Sequence, residues 1–150
     1  MRVLLDTNIR LRSVEPLHAQ HQVSTNAVSI LRKNGHDLVL VPQVLYEFWS
    51  VATRPAENNG LGMSTSEARH DIAAVKRLLR LLLDERAVYA EWEKLMTTLE
   101  VKGKKTHDAR LVAAMRRHNI THILSFNAQD FDRYPSISPL VPDQVGPTSA

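Results

Sequence analysis

The chain has no cysteine, only five glycines, and aromatic residues at 5% of its length. The missing thiols exclude disulfides and thiolate-held zinc or iron–sulfur sites, and they fit a reducing cytoplasm. The few glycines are scattered: they form neither a phosphate-cradling P-loop nor a dinucleotide turn, and no Gly-x-Ser-x-Gly elbow presents a nucleophilic serine. No apolar run approaches the roughly 20 residues needed to cross a bilayer. The first residues lack the basic segment, long apolar stretch and small-residue cleavage site of a secretory leader, so a cytoplasmic location is expected. His18 with His21, and His118 with His122, have spacings a metal can use, but no neighbours complete a zinc set.

What is present describes an ordinary globular chain. Its 150 residues, 43% hydrophobic and 23% charged, suffice for one domain with a buried core. A net charge of +3 and a pI near 9.4 tilt association modestly towards polyanions. Basic clusters at 102–105 and 116–118 add to that tilt, although such runs more often mark a solvated face.

The apolar pattern alternates between strand and helix. Val3-Leu4-Leu5 and Leu38-Val39-Leu40-Val41 read as strands buried on both faces, and Ile123-Leu124 as a third. Leu81-Leu82-Leu83 and Leu140-Val141 are candidates for short flanking strands. Helices are expected from Ile9 to Ser13, from Ser24 to Lys33, and from Pro42 to about Arg54. A further one begins at the capping pattern Ser64-Thr65-Ser66-Glu67, followed by helices over 87–99 and 106–118. Ala128 to Phe131 makes at most one turn. Strands alternating with helices imply a Rossmann-like three-layer α/β/α domain around a central parallel sheet, over residues 1–141, with 142–150 as a frayed tail.

Three acids occupy places that favour chemistry. Asp6 follows the first strand at the edge where open parallel sheets bind ligands, although Asp6-Thr7-Asn8 also suits a simple helix cap. Glu47 falls on the stripe Val44, Glu47, Phe48, Val51, and Asp108 on the stripe Asp108, Leu111, Val112, Met115. Each alone is equally well read as an internal ion pair, Glu47 with Arg54 or Arg12, or as Asp108 capping its own helix. Together they form an oxygen-only set that suits Mg2+ or Mn2+. At the end of the Ile123-Leu124 strand, Asn127 offers a neutral oxygen and Asp130 a charge that can complete the set, and Ser125 can hydrogen-bond a carboxylate or a water; the alternative is Asn127 as a turn residue and Asp130 as a surface acid.

Leu4-Leu5-Asp6-Thr7-Asn8, Pro42-Gln43-Val44-Leu45-Tyr46-Glu47-Phe48-Trp49, His107-Asp108-Ala109-Arg110-Leu111-Val112-Ala113 and Ser125-Phe126-Asn127-Ala128-Gln129-Asp130-Phe131 occur in that order. This series resembles the motifs of PIN-domain nucleases, in particular the VapC-type toxin ribonucleases of prokaryotic toxin–antitoxin systems. The resemblance implies an endoribonuclease dependent on Mg2+ or Mn2+, with Asp6, Glu47, Asp108 and Asp130 as catalytic acids and Asp6, Asp108 and Glu47 on the metal. Thr7, Asn8, Ser125 and Asn127 would steady the carboxylates. Arg110, with Lys102, Lys104 and Lys105, would meet the RNA backbone, although Arg110 lies round the helix from Asp108 and could serve an ion pair instead. It also implies a cognate antitoxin and a homodimer, for which apolar residues in 78–83 are candidate contacts. The family often has Asp where this chain has Asn127, which leaves the fourth ligand and a second ion open.

Two rivals remain at this level. A degenerate PIN module would bind RNA or a protein without cutting. A phosphatase of the haloacid-dehalogenase kind also begins with a strand ending in Asp, but it needs a second acid where this chain has Asn8.

Overall fold

A computed structural model of the chain describes residues 1–146. Five strands, β1 (Arg2–Leu5), β2 (Asp37–Leu40), β3 (Arg80–Leu81), β4 (His122–Leu124) and β5 (Ser138–Leu140), form one all-parallel sheet in the order β3-β2-β1-β4-β5. Among the described residues six α-helices flank it: α1 (Thr7–Ser13), α2 (His21–Lys33), α3 (Pro42–Thr53), α4 (Thr65–Leu78), α5 (Arg86–Leu99) and α6 (Lys105–Arg117). This is the expected three-layer α/β/α fold.

The middle of the sheet is made of the residues least tolerant of water. Val3, Leu4, Val39, Leu40, Ile123 and Leu124 are all at 0% exposure, so β1, β2 and β4 are covered on both faces. α6 contributes Leu111, Val112, Ala113, Ala114 and Met115 to the same core. The chain builds outwards from β1 to β2 and β3, then returns to place β4 on the other side of β1. The reversal makes the β1/β4 boundary the topological switch point, where a crevice opens beyond the carboxyl ends of the strands.

Local signals fix the element ends. Ser64 caps α4: its hydroxyl accepts from the Glu67 amide at 3.0 Å, while the Glu67 carboxylate accepts from the Ser64 amide at 3.1 Å. The chain leaving α3 folds back on itself, with Gly60 and Gly62 amides donating to the Pro55 and Arg54 carbonyls. A Cβ at Gly60 would lie 2.0 Å from the Arg54 carbonyl oxygen, so only glycine fits there.

Some boundaries differ from expectation. α2 starts at His21, three residues early, because a turn after Pro16 delivers the chain already coiled. β3 comprises Arg80 and Leu81 rather than 81–83: Arg80 pairs with Val39 across the ladder and its guanidinium meets Asp37. Leu79, Leu81 and Leu82 consequently join the core, and only Leu78 and Leu83 of that apolar run stay exposed. β5 begins at Ser138, with Pro139 opposite Ile123 at the outer edge. The segment expected as a tail is tied down beyond 141, since Pro142–Gln144 form a 3-10 turn with Pro142 buried and Val145 against the core. Residues 147–150 lie outside the described residues.

Candidate active site

Asp6 is the first residue beyond β1, and it is 9% exposed. Its Oδ1 accepts from the Thr7 amide at 2.8 Å, which makes it the N-cap of α1. Its Oδ2 accepts from the Ser125 hydroxyl at 2.7 Å, across the switch point. The capping reading of Asp6 therefore holds for one carboxylate oxygen, while the other is tied to Ser125 across the switch point.

Ser125, fully buried after β4, has every hydrogen-bonding site in use. Its oxygen accepts from Asn8 Nδ2 at 3.3 Å and from the Asn127 amide at 3.0 Å, so its proton is directed to Asp6. Asn8 Oδ1 in turn accepts from the Phe126 amide at 3.2 Å. Thr7, Asn8, Ser125 and Asn127 all belong to this frame, Asn127 through its main chain while its residue stands exposed.

Glu47 and α3 close the frame from above. Thr7 Oγ1 donates to Glu47 Oε2 at 2.8 Å, and Gln43 Nε2 donates to Glu47 Oε1 at 2.9 Å. Neither Arg12 nor Arg54 meets Glu47; Arg12 pairs with Glu15. Gln43 Nε2 also donates to the His107 carbonyl at 2.9 Å, and its Oε1 accepts from Arg110 Nη1 at 3.0 Å. Arg110 Nη2 reaches Asp84 at 3.0 Å. Gln43 thus fastens α3 to the first turn of α6, which carries Asp108. It was missed in the sequence, although a glutamine four residues before Glu47 on a helix shares its face.

Asp6 lies in the fields of Glu47 and Asp108, and Asp108 in those of Asp130 and Glu47. Burial raises the Asp6 pKa from 3.8 to about 6, against the lowering hydrogen bonds from Ser125 and Thr7, and the charges of Glu47 and Asp108 push it the same way. Asp108 is raised first by burial, then by Asp130 and Glu47, with Lys105 and His107 opposing. Among the described residues no Lys or Arg forms an ion pair with any of the four acids. Nor are three acidic or histidine side chains already gathered close enough to grip one ion. Asp6 and Glu47 each have both carboxylate oxygens engaged in hydrogen bonds. The donors are hard oxygens without a paired cation, the chemistry that Mg2+ or Mn2+ takes, but the acids would have to draw together to hold one ion.

Arg110, two residues past Asp108, points the other way, to Gln43 and Asp84. His107 contributes its carbonyl and leaves its ring exposed. Lys102, Lys104 and Lys105 are exposed on the loop and first turn leading into α6.

The all-parallel sheet in the order β3-β2-β1-β4-β5, with helices on both faces, defines a three-layer α/β/α protein with a crevice at the β1/β4 switch point. The PIN-domain family model matches residues 3–137, and the chain belongs to that family. Solved structures share the fold at low identity. VapBC2 of Rickettsia felis, bound to a DNA fragment from its promoter, is 16% identical with a TM-score of 0.71, covering 94% of this chain and 98% of that one. VapBC-1 of nontypeable Haemophilus influenzae is 17% identical with a TM-score of 0.70, covering 96% and 100%. VapC20 of Mycobacterium tuberculosis, a toxin that cleaves the sarcin–ricin loop, is 18% identical with a TM-score of 0.64, covering 88% and 95%. No curated protein matches the chain. Among the described residues no helix is long and apolar enough to cross a membrane.

Proposed function

We propose that this protein is a divalent-metal-dependent endoribonuclease, the toxin of a toxin–antitoxin pair. The observation that carries the reading is Asp6: a buried carboxylate held by Thr7 and Ser125, pushed up to about 6 by burial, with Glu47 and Asp108 adding their charge and no basic side chain paired to it. Such a group gains most from a cation. Asp6 and Asp108 are the principal ligands, with Glu47 engaged directly or through water. Mg2+ or Mn2+ held there supplies a water of lowered pKa and stabilises charge on the phosphate oxygens.

The rest of the site serves that chemistry. Ser125 and Thr7 fix the orientation of both Asp6 oxygens, and Thr7 and Gln43 fix those of Glu47. Asp130 adds negative charge beside Asp108, a reserve ligand from the 3-10 turn where Asn127 offers only a neutral oxygen. Lys102, Lys104 and Lys105 receive the RNA backbone without reading its sequence. The similarity to VapBC structures supports an antitoxin partner; in this reading that antitoxin covers the site and the toxin is a homodimer.

The test compares the purified chain with Asp6→Ala on single-stranded RNA, in Mg2+, in Mn2+ and in chelator. Cleavage by the parent alone, abolished by chelator, is expected. Equal cleavage by both proteins refutes the assignment. Absence of cleavage together with absence of metal binding in calorimetry makes the chain a non-cutting module.

A further inference from the structure

We infer that the cavity between the β3–α5 connection, α5 and Arg110 is a subsite for one unpaired nucleobase of the RNA. The inference rests on the nuclease reading for the identity of the strand and adds where one of its bases goes. The cavity measures about 440 Å³ and is lined by Asp84, Glu85, Arg86, Val88, Tyr89, Trp92 and Arg110. That volume lies in the range of small-ligand pockets, roughly 300–1,000 Å³.

Its chemistry suits a base and not a phosphate. The wall is Val88 and two aromatic rings, with centroids 5.9 Å apart and planes tilted by 35°. Both rings are held. The Trp92 indole nitrogen donates to the Thr106 carbonyl at 3.0 Å, and the Tyr89 hydroxyl donates to Glu93 at 2.9 Å. Tyr89 is nevertheless 64% exposed, a large apolar face fixed in place with water over it. Aromatic faces of this kind stack on bases of any sequence. At the rim, Asp84 and Glu85 accept hydrogen bonds, as amino and imino groups of a base require, and Arg86 and Arg110 donate to its carbonyls. Asp84 and Glu85 are each paired, with Arg110 and Arg117, so the mouth does not repel a polyanion.

The position relative to the acids completes the argument. Asp108 and Arg110 are two residues apart on α6, about 200° round the helix, and so serve opposite sides of its first turns. One side is the carboxylate site; the other is this cavity, joined to it by hydrogen bonds from Arg110 to Gln43 and from Gln43 to Glu47. Trp92 is anchored to Thr106, next to Lys104 and Lys105. A strand crossing the start of α6 therefore meets lysines with its backbone, carboxylates with one phosphate, and the Tyr89–Trp92 wall with a neighbouring base.

The test uses the full chain in chelator, so that cleavage plays no part. The Trp92 indole N–H signal, assigned with Trp49→Phe, is followed by NMR during addition of 5′-GMP, 5′-AMP, 5′-CMP and 5′-UMP, with ribose 5-phosphate as control. A saturable shift with mononucleotides, absent with ribose 5-phosphate, is expected and should persist in Asp6→Ala. Tyr89→Ala should weaken binding of a labelled octaribonucleotide about tenfold, and Tyr89→Trp should restore it. Equal shifts with ribose 5-phosphate, or unchanged octamer affinity in Tyr89→Ala, overturn the subsite. Tyr89→Ala that weakens antitoxin binding and leaves the octamer untouched assigns the cavity to a polypeptide and also overturns it. An inactive chain whose Trp92 signal still follows 5′-GMP retains the subsite, whereas an active nuclease whose signal stays still loses the subsite alone.

Discussion

Replacing Asp6 by Asn should raise the stability of the metal-free protein relative to the parent increasingly as pH rises through 6. Asp6 titrates at 3.8 when exposed and at about 6 in the fold. At roughly 1.4 kcal/mol for each pH unit, ionising it in the native state costs about 3 kcal/mol. The folded protein holds this proton more tightly than the unfolded chain, so stability from this group is present below pH 3.8 and lost as pH rises through 6. Asparagine keeps an oxygen for the Thr7 amide and carries no buried charge, but its amide faces a Ser125 oxygen that already accepts from Asn8 and Asn127, a loss of about 1–3 kcal/mol that does not depend on pH. In chelator, the melting temperature of Asp6→Asn relative to the parent should therefore stand about 6–12 °C higher at pH 8 than at pH 4 for a chain of this size. The change should run through pH 6, read by thermal and urea denaturation across pH. Added Mg2+ should stabilise the parent at pH 8 and leave Asp6→Asn unmoved. A difference between variant and parent that is indifferent to pH, or that falls from pH 4 to pH 8, refutes the account of Asp6 as a charge kept under strain.

Other outcomes follow from the same contacts. Gln43→Leu leaves Arg110 Nη1, Glu47 Oε1 and the His107 carbonyl without their partner; these groups are half-buried and reach water in part, so the loss should total about 1–3 kcal/mol, measurable as a lower urea midpoint; an unchanged midpoint would show that the clamp between α3 and α6 carries no weight. Ser125→Ala removes the hydrogen bond that holds the Asp6 pKa down, so the pH at which Mn2+ affinity halves should move upwards, and a fixed midpoint in calorimetry would contradict it. Gly60→Ala forces a methyl group against the Arg54 carbonyl and should lower stability by about 1–3 kcal/mol or more, with a thermal melt equal to the parent's as the contrary result.

Much of this arrangement is legible in the chain because it rests on short-range rules. Val3-Leu4-Leu5 and Leu38-Val39-Leu40 declare buried strands by apolar continuity, and Asp6, Glu47 and Asp108 declare themselves by sitting where carboxylates do not belong. Elements that depend on distant partners are harder to read. β3 exists because Arg80 finds Val39 and Asp37, residues some forty positions away, and nothing in Leu81-Leu82-Leu83 announces that the ladder starts one residue earlier. Gln43 looks like an ordinary first-turn polar residue until α6 brings His107 and Arg110 against it. The Tyr89–Trp92 wall has the spacing of any helix stripe, and its openness to water follows from how α5 lies against α6. Pro142–Gln144 carries tail-like composition, yet Pro142 is buried beside α2.

Pro139 has a bearing on how copies of the protein can meet. In β5 the Ser138 amide turns inwards to the Thr121 carbonyl, so the alternation of the strand aims the nitrogen of residue 139 outwards, where proline has no hydrogen to offer. On the far side, β3 is only two residues long. Neither rim of the sheet presents a template on which another chain's strand can be zipped. The helix faces are left as the surfaces through which copies of the chain can meet without disturbing the sheet.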